Sequence, residues 1–375
     1  MASEGGVDIS EGVSLVESVG PPMAKRVKDC LCEIGRPSIA SAAPETYAAL
    51  GHPPGQNPAR NDTVTPAARV LWDAAALAVE DTGLPTQSIG NAAQAVADVD
   101  WPLNDSQRNA VTHCLSHRLS IVWGPPGTGK TTTAASLVAA RVLAALELGQ
   151  NTRILVTAPT YTAWEKLFGE VLELLEKLNI TGLSGYRIYA PTHVDRAPLP
   201  ESSNNVQDVE VRPHDADFRT FWQELKTPAT IVLAGAVAQQ CYRIAHVGND
   251  TAMAELFDFM VIDESSQLDV GRSLFPLCLL AAGAELALFG DHLQMPPVIA
   301  TQPPRGAEWL VGSVQSYLIR RHGLTLQNLL INYRSAGAFV EFGKRIGSSQ
   351  KNARRTADFC VSSVSHPPCP PPATL

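Results

Sequence analysis

The chain has no C-x-x-C pair, no His-Cys cluster at zinc spacing, no leader-like N-terminus and no excess of basic residues. Its seven cysteines are scattered. Their odd number argues against a closed disulfide framework, so reduced thiols in an intracellular protein, cytoplasmic or nuclear, are expected. The opening "MASEGGVDISEGVSLVES" lacks the basic start and apolar stretch of a secretory signal. Basic residues number 29 against 37 acidic ones, a net charge of −8, so any nucleic-acid binding has to come from a local surface. One apolar run, "SLFPLCLLAAGAELALFG" (273–290), invites comparison with a membrane span, but Glu285, a proline and two glycines interrupt it. No membrane association is expected.

What is present is a chain of 375 residues, 45% hydrophobic, enough for one sizeable α/β core with flanking material. Residues 1–68 are rich in Pro, Gly, Ser and Ala without sustained periodicity, which predicts a disordered arm. Helical spacing begins in 69–102, and "LNDSQRNAVTHCLSH" predicts a helix capped by Asn104 or Asp105. Strands are predicted at "LSIVW" (119–123), "RILVTA" (153–158), "TIVLAG" (230–235), "DFMVID" (258–263) and "LALFG" (286–290). Helices predicted over 130–148 and 161–178 fall between strands, so βαβ units and a parallel sheet follow, with ligand chemistry at the carboxyl ends of the strands. Residues 191–216 are polar and broken by proline and read as an inserted loop or small subdomain. Past residue 347 the chain turns basic and then proline-rich, as in a disordered tail.

"VWGPPGTGKTTT" satisfies G-x-x-x-x-G-K-[ST] directly after a predicted strand and before a predicted helix, the context that pattern requires. Gly127, Thr128, Gly129, Lys130, Thr131 and Thr132 would form the phosphate cradle, with Lys130 adding a cation and Thr131 a hydroxyl for Mg²⁺. Further along, "FMVIDESSQ" ends an apolar strand with Asp263 and Glu264, which fits a metal-holding carboxylate followed by a base for the attacking water. In "LALFGDHLQMPPV", Gln294 is the candidate sensor of a γ-phosphate, and His292 reads as a loop histidine without metal partners.

Taken in order, "LNDSQ", "GPPGTGKTTT", "VTAPTYTA", "VIDESSQ", "GDHLQMPPV" and "NYRS" resemble the motif series of superfamily 1 helicases, closest to the up-frameshift-like branch of RNA-surveillance helicases and replication helicase-nucleases. The resemblance covers roughly residues 103–346. It implies a RecA-like α/β ATPase domain over 103–330 with a short accessory insertion at 181–228, the start of a second RecA-like domain at 331–347 and a tail from 348 to 375. It implies ATP and Mg²⁺ as cofactors, Gln107 reading the adenine edge, Tyr333 stacking on the adenine and Arg334 at the γ-phosphate. Single-stranded RNA or DNA is the implied partner, touching Thr160 and Tyr161, together with a protein partner supplying a missing second lobe. The pattern departs from the family where Tyr161 stands for a more usual Asn and Ala163-Trp164-Glu165 for "AVD". Two functions stay open: an ATP-dependent helicase-type hydrolase, incomplete as this chain, or a non-catalytic ATP- or RNA-binding scaffold derived from one.

Overall fold

Every one of the five predicted strands lies in a single sheet, because each is an apolar run short enough to cross a core once and is buried from both sides. The computed structural model describes residues 23–40, 65–99, 102–198, 202, 204–212, 215–245, 256–295, 297 and 312–333. In chain order its elements are α1 (Met23–Ala40), α2 (Pro66–Trp72), α3 (Ala74–Leu77), α4 (Thr86–Ala97), α5 (Asp105–Ser116), β1 (Leu119–Trp123), α6 (Lys130–Glu147), β2 (Arg153–Ala158) and α7 (Tyr161–Lys177). Then come β3 (Ser184–Tyr189), β4 (Asn205–Glu210), α8 (Ala216–Lys226), β5 (Val232–Val237), α9 (Ala238–Ala245), β6 (Phe257–Ile262), α10 (Val270–Leu277), β7 (Leu280–Gly290), α11 (Val314–His322) and β8 (Gln327–Asn328). The eight strands run in the order β4-β3-β5-β2-β6-β7-β1-β8, and every pairing is parallel.

A parallel sheet of this kind needs helices on both faces. Along β6, Phe259 and Val261 face one core while Met260 and Ile262 face the other; Leu286 and Leu288 of β7 alternate with Ala287 and Phe289 in the same way. Helices α4 to α7 close one face, and α1 to α3 with α8 to α11 close the other. The apolar run 273–290 is divided between α10 and the long strand β7. No helix among the described residues is long and apolar enough to cross a membrane.

Two expectations change. The stretch 181–228 is not an accessory insertion alone: β3 and β4 extend the central sheet by pairing onto β5, and α8 packs beneath them through Phe218, Phe221 and Leu225. Its polar character had hidden the strands. Arg187 on β3 is 3% exposed and meets Asp208 on β4 at 2.6 Å, so two charged residues sit within the sheet as a pair. Similarly, the arm expected over 1–68 contains α1, whose Cys30 and Ile34 are fully buried with Val27 beside them. An apolar stripe at spacings of three and four residues makes one helix face, yet it is too brief to stand out amid polar sequence. The rest of 1–64 and everything after residue 333 lie outside the described residues.

Candidate functional site

The chemistry gathers at the carboxyl ends of β1, β7 and β6. After β1 the chain turns through Gly127 (φ 85°) and Gly129 (φ 79°), left-handed conformations that side chains other than glycine rarely adopt. Gly129 caps α6, so Lys130 and Thr131 open an 18-residue helix whose N-terminal amides are free to meet anionic oxygens. Lys130 is only 7% exposed and its Nζ donates to Gly124 O at 2.9 Å. An ammonium carries three donors, so this single bond leaves two for phosphate oxygens.

Strand β7 lies between β1 and β6, yet the acid pair after β6 still reaches the loop. Thr131 Oγ1 donates to Asp263 Oδ2 at 3.3 Å. Asp263 is 2% exposed, and burial, reinforced by the neighbouring Glu264 charge, raises its carboxyl to about 6. A buried carboxylate beside a hydroxyl is a hard-oxygen donor pair of the kind Mg²⁺ takes, so the residues fit that ion. Glu264 has φ 50°, a strained conformation for a residue with a side chain, and its backbone N–H donates to Asp263 Oδ1 at 2.8 Å. Its Oε2 accepts from Gln267 Nε2 at 3.3 Å.

The adenine-side candidates converge on the same loop from two directions. Asn104 caps α5 in a capping box: its side chain accepts from Gln107 N, and Gln107 Oε1 accepts from Asn104 N at 3.0 Å. Gln107 Nε2 donates to Thr128 O at 3.3 Å, so the amide expected to read the adenine edge is braced against the phosphate loop. From the far end of the chain, Tyr333 N donates to Gly127 O and Asn332 Nδ2 to Pro126 O, at 2.8 and 3.0 Å. Asn104 Nδ2 donates to Tyr333 Oη at 2.8 Å, and the tyrosine is 46% exposed. Arg334, the next residue, lies outside the described residues.

Other predicted residues have different company. Thr132 is exposed and its hydroxyl donates to Glu170 on α7 at 3.4 Å. Gln294 sits in the turn after β7, held by its backbone N–H to Asp291 O at 3.0 Å; among the described residues no hydrogen bond joins its side chain to the phosphate loop. Thr160 caps α7 by accepting from Ala163 N at 3.3 Å, which leaves its hydroxyl proton to donate elsewhere. Tyr161 is already stacked on the chain's own His193, with ring centroids 3.6 Å apart and planes tilted by 8°. Trp164 is fully buried, as a packing residue of α7. His292 packs beside Trp123, and no metal-holding group of three or more His, Cys, Asp or Glu occurs among the described residues.

The frame that joins these strand ends escaped the sequence reading. Asp291 Oδ1 accepts from Trp123 Nε1 at 2.8 Å and from Leu293 N at 3.1 Å, while its own N–H donates to Ser266 Oγ at 3.2 Å. Ser265 Oγ donates to Phe289 O at 2.9 Å. The ends of β1, β6 and β7 are thereby tied through one buried aspartate and two serines. "DESSQ" and "GDHLQ" carried the signal, as polar clusters closing apolar strands.

A parallel sheet with a phosphate loop after β1 and an acid pair after β6, joined across β7, makes this a RecA-like phosphate-loop NTPase domain. Residues 102–238 match the family model described as an AAA domain. The ATP-dependent helicase NAM7 of Saccharomyces cerevisiae is 30% identical over 230 residues, covering 58% of this chain and 22% of that protein. The ATP-dependent helicase upf1 of Schizosaccharomyces pombe is 31% identical over 262 residues, 64% of this chain and 27% of that one. The DNA replication ATP-dependent helicase/nuclease DNA2 of S. cerevisiae is 26% identical over 249 residues, 64% of this chain and 14% of its own length. Over the matched part, the chain is similar to the up-frameshift-like branch of the superfamily 1 helicases. It spans about a quarter or less of these relatives' length.

Proposed function

We propose that this chain is an ATP-dependent helicase-type hydrolase domain that couples Mg²⁺-ATP binding and turnover to a single strand of RNA or DNA. The observation that carries the reading is the juxtaposition of Lys130 and Thr131, opening α6, with Asp263 and Glu264, closing β6, at a Thr131 to Asp263 distance of 3.3 Å. Mg²⁺, when bound, would neutralise charge on the β- and γ-phosphate oxygens. Thr131 and Asp263 would hold it. Lys130, now on the Gly124 carbonyl, would turn its remaining donors to the same oxygens. Glu264 would orient the attacking water and accept its proton. Gln294 would respond to the γ-phosphate, Arg334 would add a cation there, and the exposed ring of Tyr333 would cover the adenine, with Gln107 bracing the loop. Thr160, at the N-terminus of α7, would donate to a strand phosphate, with Tyr161 beside it.

Steady-state ATP hydrolysis with and without oligouridylate or oligothymidylate tests this. Turnover should rise with the strand, and Glu264→Gln should lower kcat by about 10²-fold or more while nucleotide still binds. Lys130→Ala should weaken nucleotide binding as well. Nucleotide binding accompanied by turnover indifferent to both substitutions would refute the hydrolase reading and favour a non-catalytic module.

A further inference from the structure

The segment that follows β3, Ala190–Pro198, lies across the start of α7. Its turn is closed by His193 N donating to Ala190 O at 3.0 Å. From there the His193 imidazole lies flat on Tyr161, 3.6 Å away and tilted by 8°. Tyr189 is parallel to both rings at 5.9 and 5.7 Å. A flat five-membered heteroaromatic ring at that spacing and tilt holds the position a nucleobase would take on Tyr161.

The segment is fastened by polar contacts at its ends. Tyr161 Oη accepts from Ala190 N at 3.3 Å, and Glu165 Oε1 accepts from both Tyr189 Oη at 2.6 Å and Ala197 N at 3.3 Å. Arg196 lies over the Tyr189 ring and pairs with Glu210 and Asp208 of β4, and Arg187 donates to Pro198 O at 3.0 Å. Beyond Ala190, which is buried at the root of the segment, little apolar surface is involved: Val194, at the tip, is 90% exposed. His193 Nε2 is buried without a hydrogen-bond partner among the described residues. A buried ring nitrogen without a partner weakens the closed position. The segment can therefore lift without opening either core.

We propose that the face of Tyr161 beneath His193 is a nucleobase subsite for single-stranded nucleic acid, and that Ala190–Pro198 is a strap that shuts it with its own imidazole. This rests on the reading that a strand passes the N-terminus of α7. A base and His193 compete for one face of one ring, so strand binding displaces the strap, and loosening the strap strengthens binding.

The test is fluorescence anisotropy of labelled oligouridylate and oligothymidylate with the full chain. His193→Ala should bind about two- to tenfold more tightly than the parent, the span expected for removing one competing ring stack. Ala197→Pro, which deletes the amide anchored on Glu165, should act in the same direction. Tyr161→Ala should bind more weakly, and adding His193→Ala to it should recover nothing. Saturating strand should also speed hydrogen exchange at the Ala190 and Ala197 amides of the parent chain. Unchanged or weaker binding by both strap variants, with the parent binding normally, overturns the strap and leaves the strand-binding reading standing. Absence of strand binding by parent and variants alike, with Mg²⁺-nucleotide still bound, overturns both.

Discussion

Arg141 Nε lies 2.9 Å from Glu285 Oε2, joining the helix that opens with Lys130 to strand β7. Both side chains are 6% exposed. The pair aligns α6 against the strand whose end carries Asp291, so the phosphate loop and the polar frame at the strand ends share one internal fastening.

Removing one member leaves the other charge buried and alone. Glu285→Ala should cost about 3–5 kcal/mol in urea unfolding, whereas Arg141→Met combined with Glu285→Leu should be far milder, because no uncompensated charge remains. Equal losses for the single and double variants would mean that packing, not charge, governs the position.

Glu285 also shows what could be read in advance. It marked the apolar run 273–290 as something other than a lipid-facing helix, and the residue turns out to be buried with its own cation. Strands β1 and β6 were legible because an apolar run ending in a glycine loop or an acid pair has few other meanings, and β2 because "RILVTA" is a short apolar run between two helical stretches. The phosphate loop followed from the first of these runs, and of the two caps offered for α5, Asn104 and Asp105, the structure uses Asn104. Strands β3 and β4 were not legible: Arg187 and Asp208 look like surface residues until both strands exist to pair them. The cover on Tyr161 was hidden for a related reason, since His193 reaches that ring only after β3 has joined the sheet.

Gly235 in β5 faces the rings of α7. A Cβ there would stand 2.7 Å from Trp164 Cε3 and from Phe168 Cδ2, so α7 lies on the sheet only because this position has no side chain. Gly235→Ala should lower stability by about 1–3 kcal/mol through overpacking. Because α7 begins with Thr160 and Tyr161, strand affinity should fall more than nucleotide affinity. Shortening a facing ring with Phe168→Leu should restore part of both losses, and failure of that rescue would place the fault in β5 itself.

His113, in the last turn of α5, stacks on His117 with centroids 4.0 Å apart. Burial, aided by the neighbouring His117, lowers its pKa from 6.5 to about 4. Between those values the unfolded chain takes up a proton that the folded chain refuses, so this group's contribution to stability is complete above 6.5 and declines as the pH falls toward about 4. Other groups titrate in the same range, Asp263 in the opposite sense because its carboxyl is raised to about 6. The informative quantity is therefore a difference between two chains. Urea midpoints for the parent and His113→Gln, compared near neutral pH and at about pH 5, should show the parent losing more on acidification. Equal losses in the two chains would mean that His113 takes its proton as readily when folded as when unfolded.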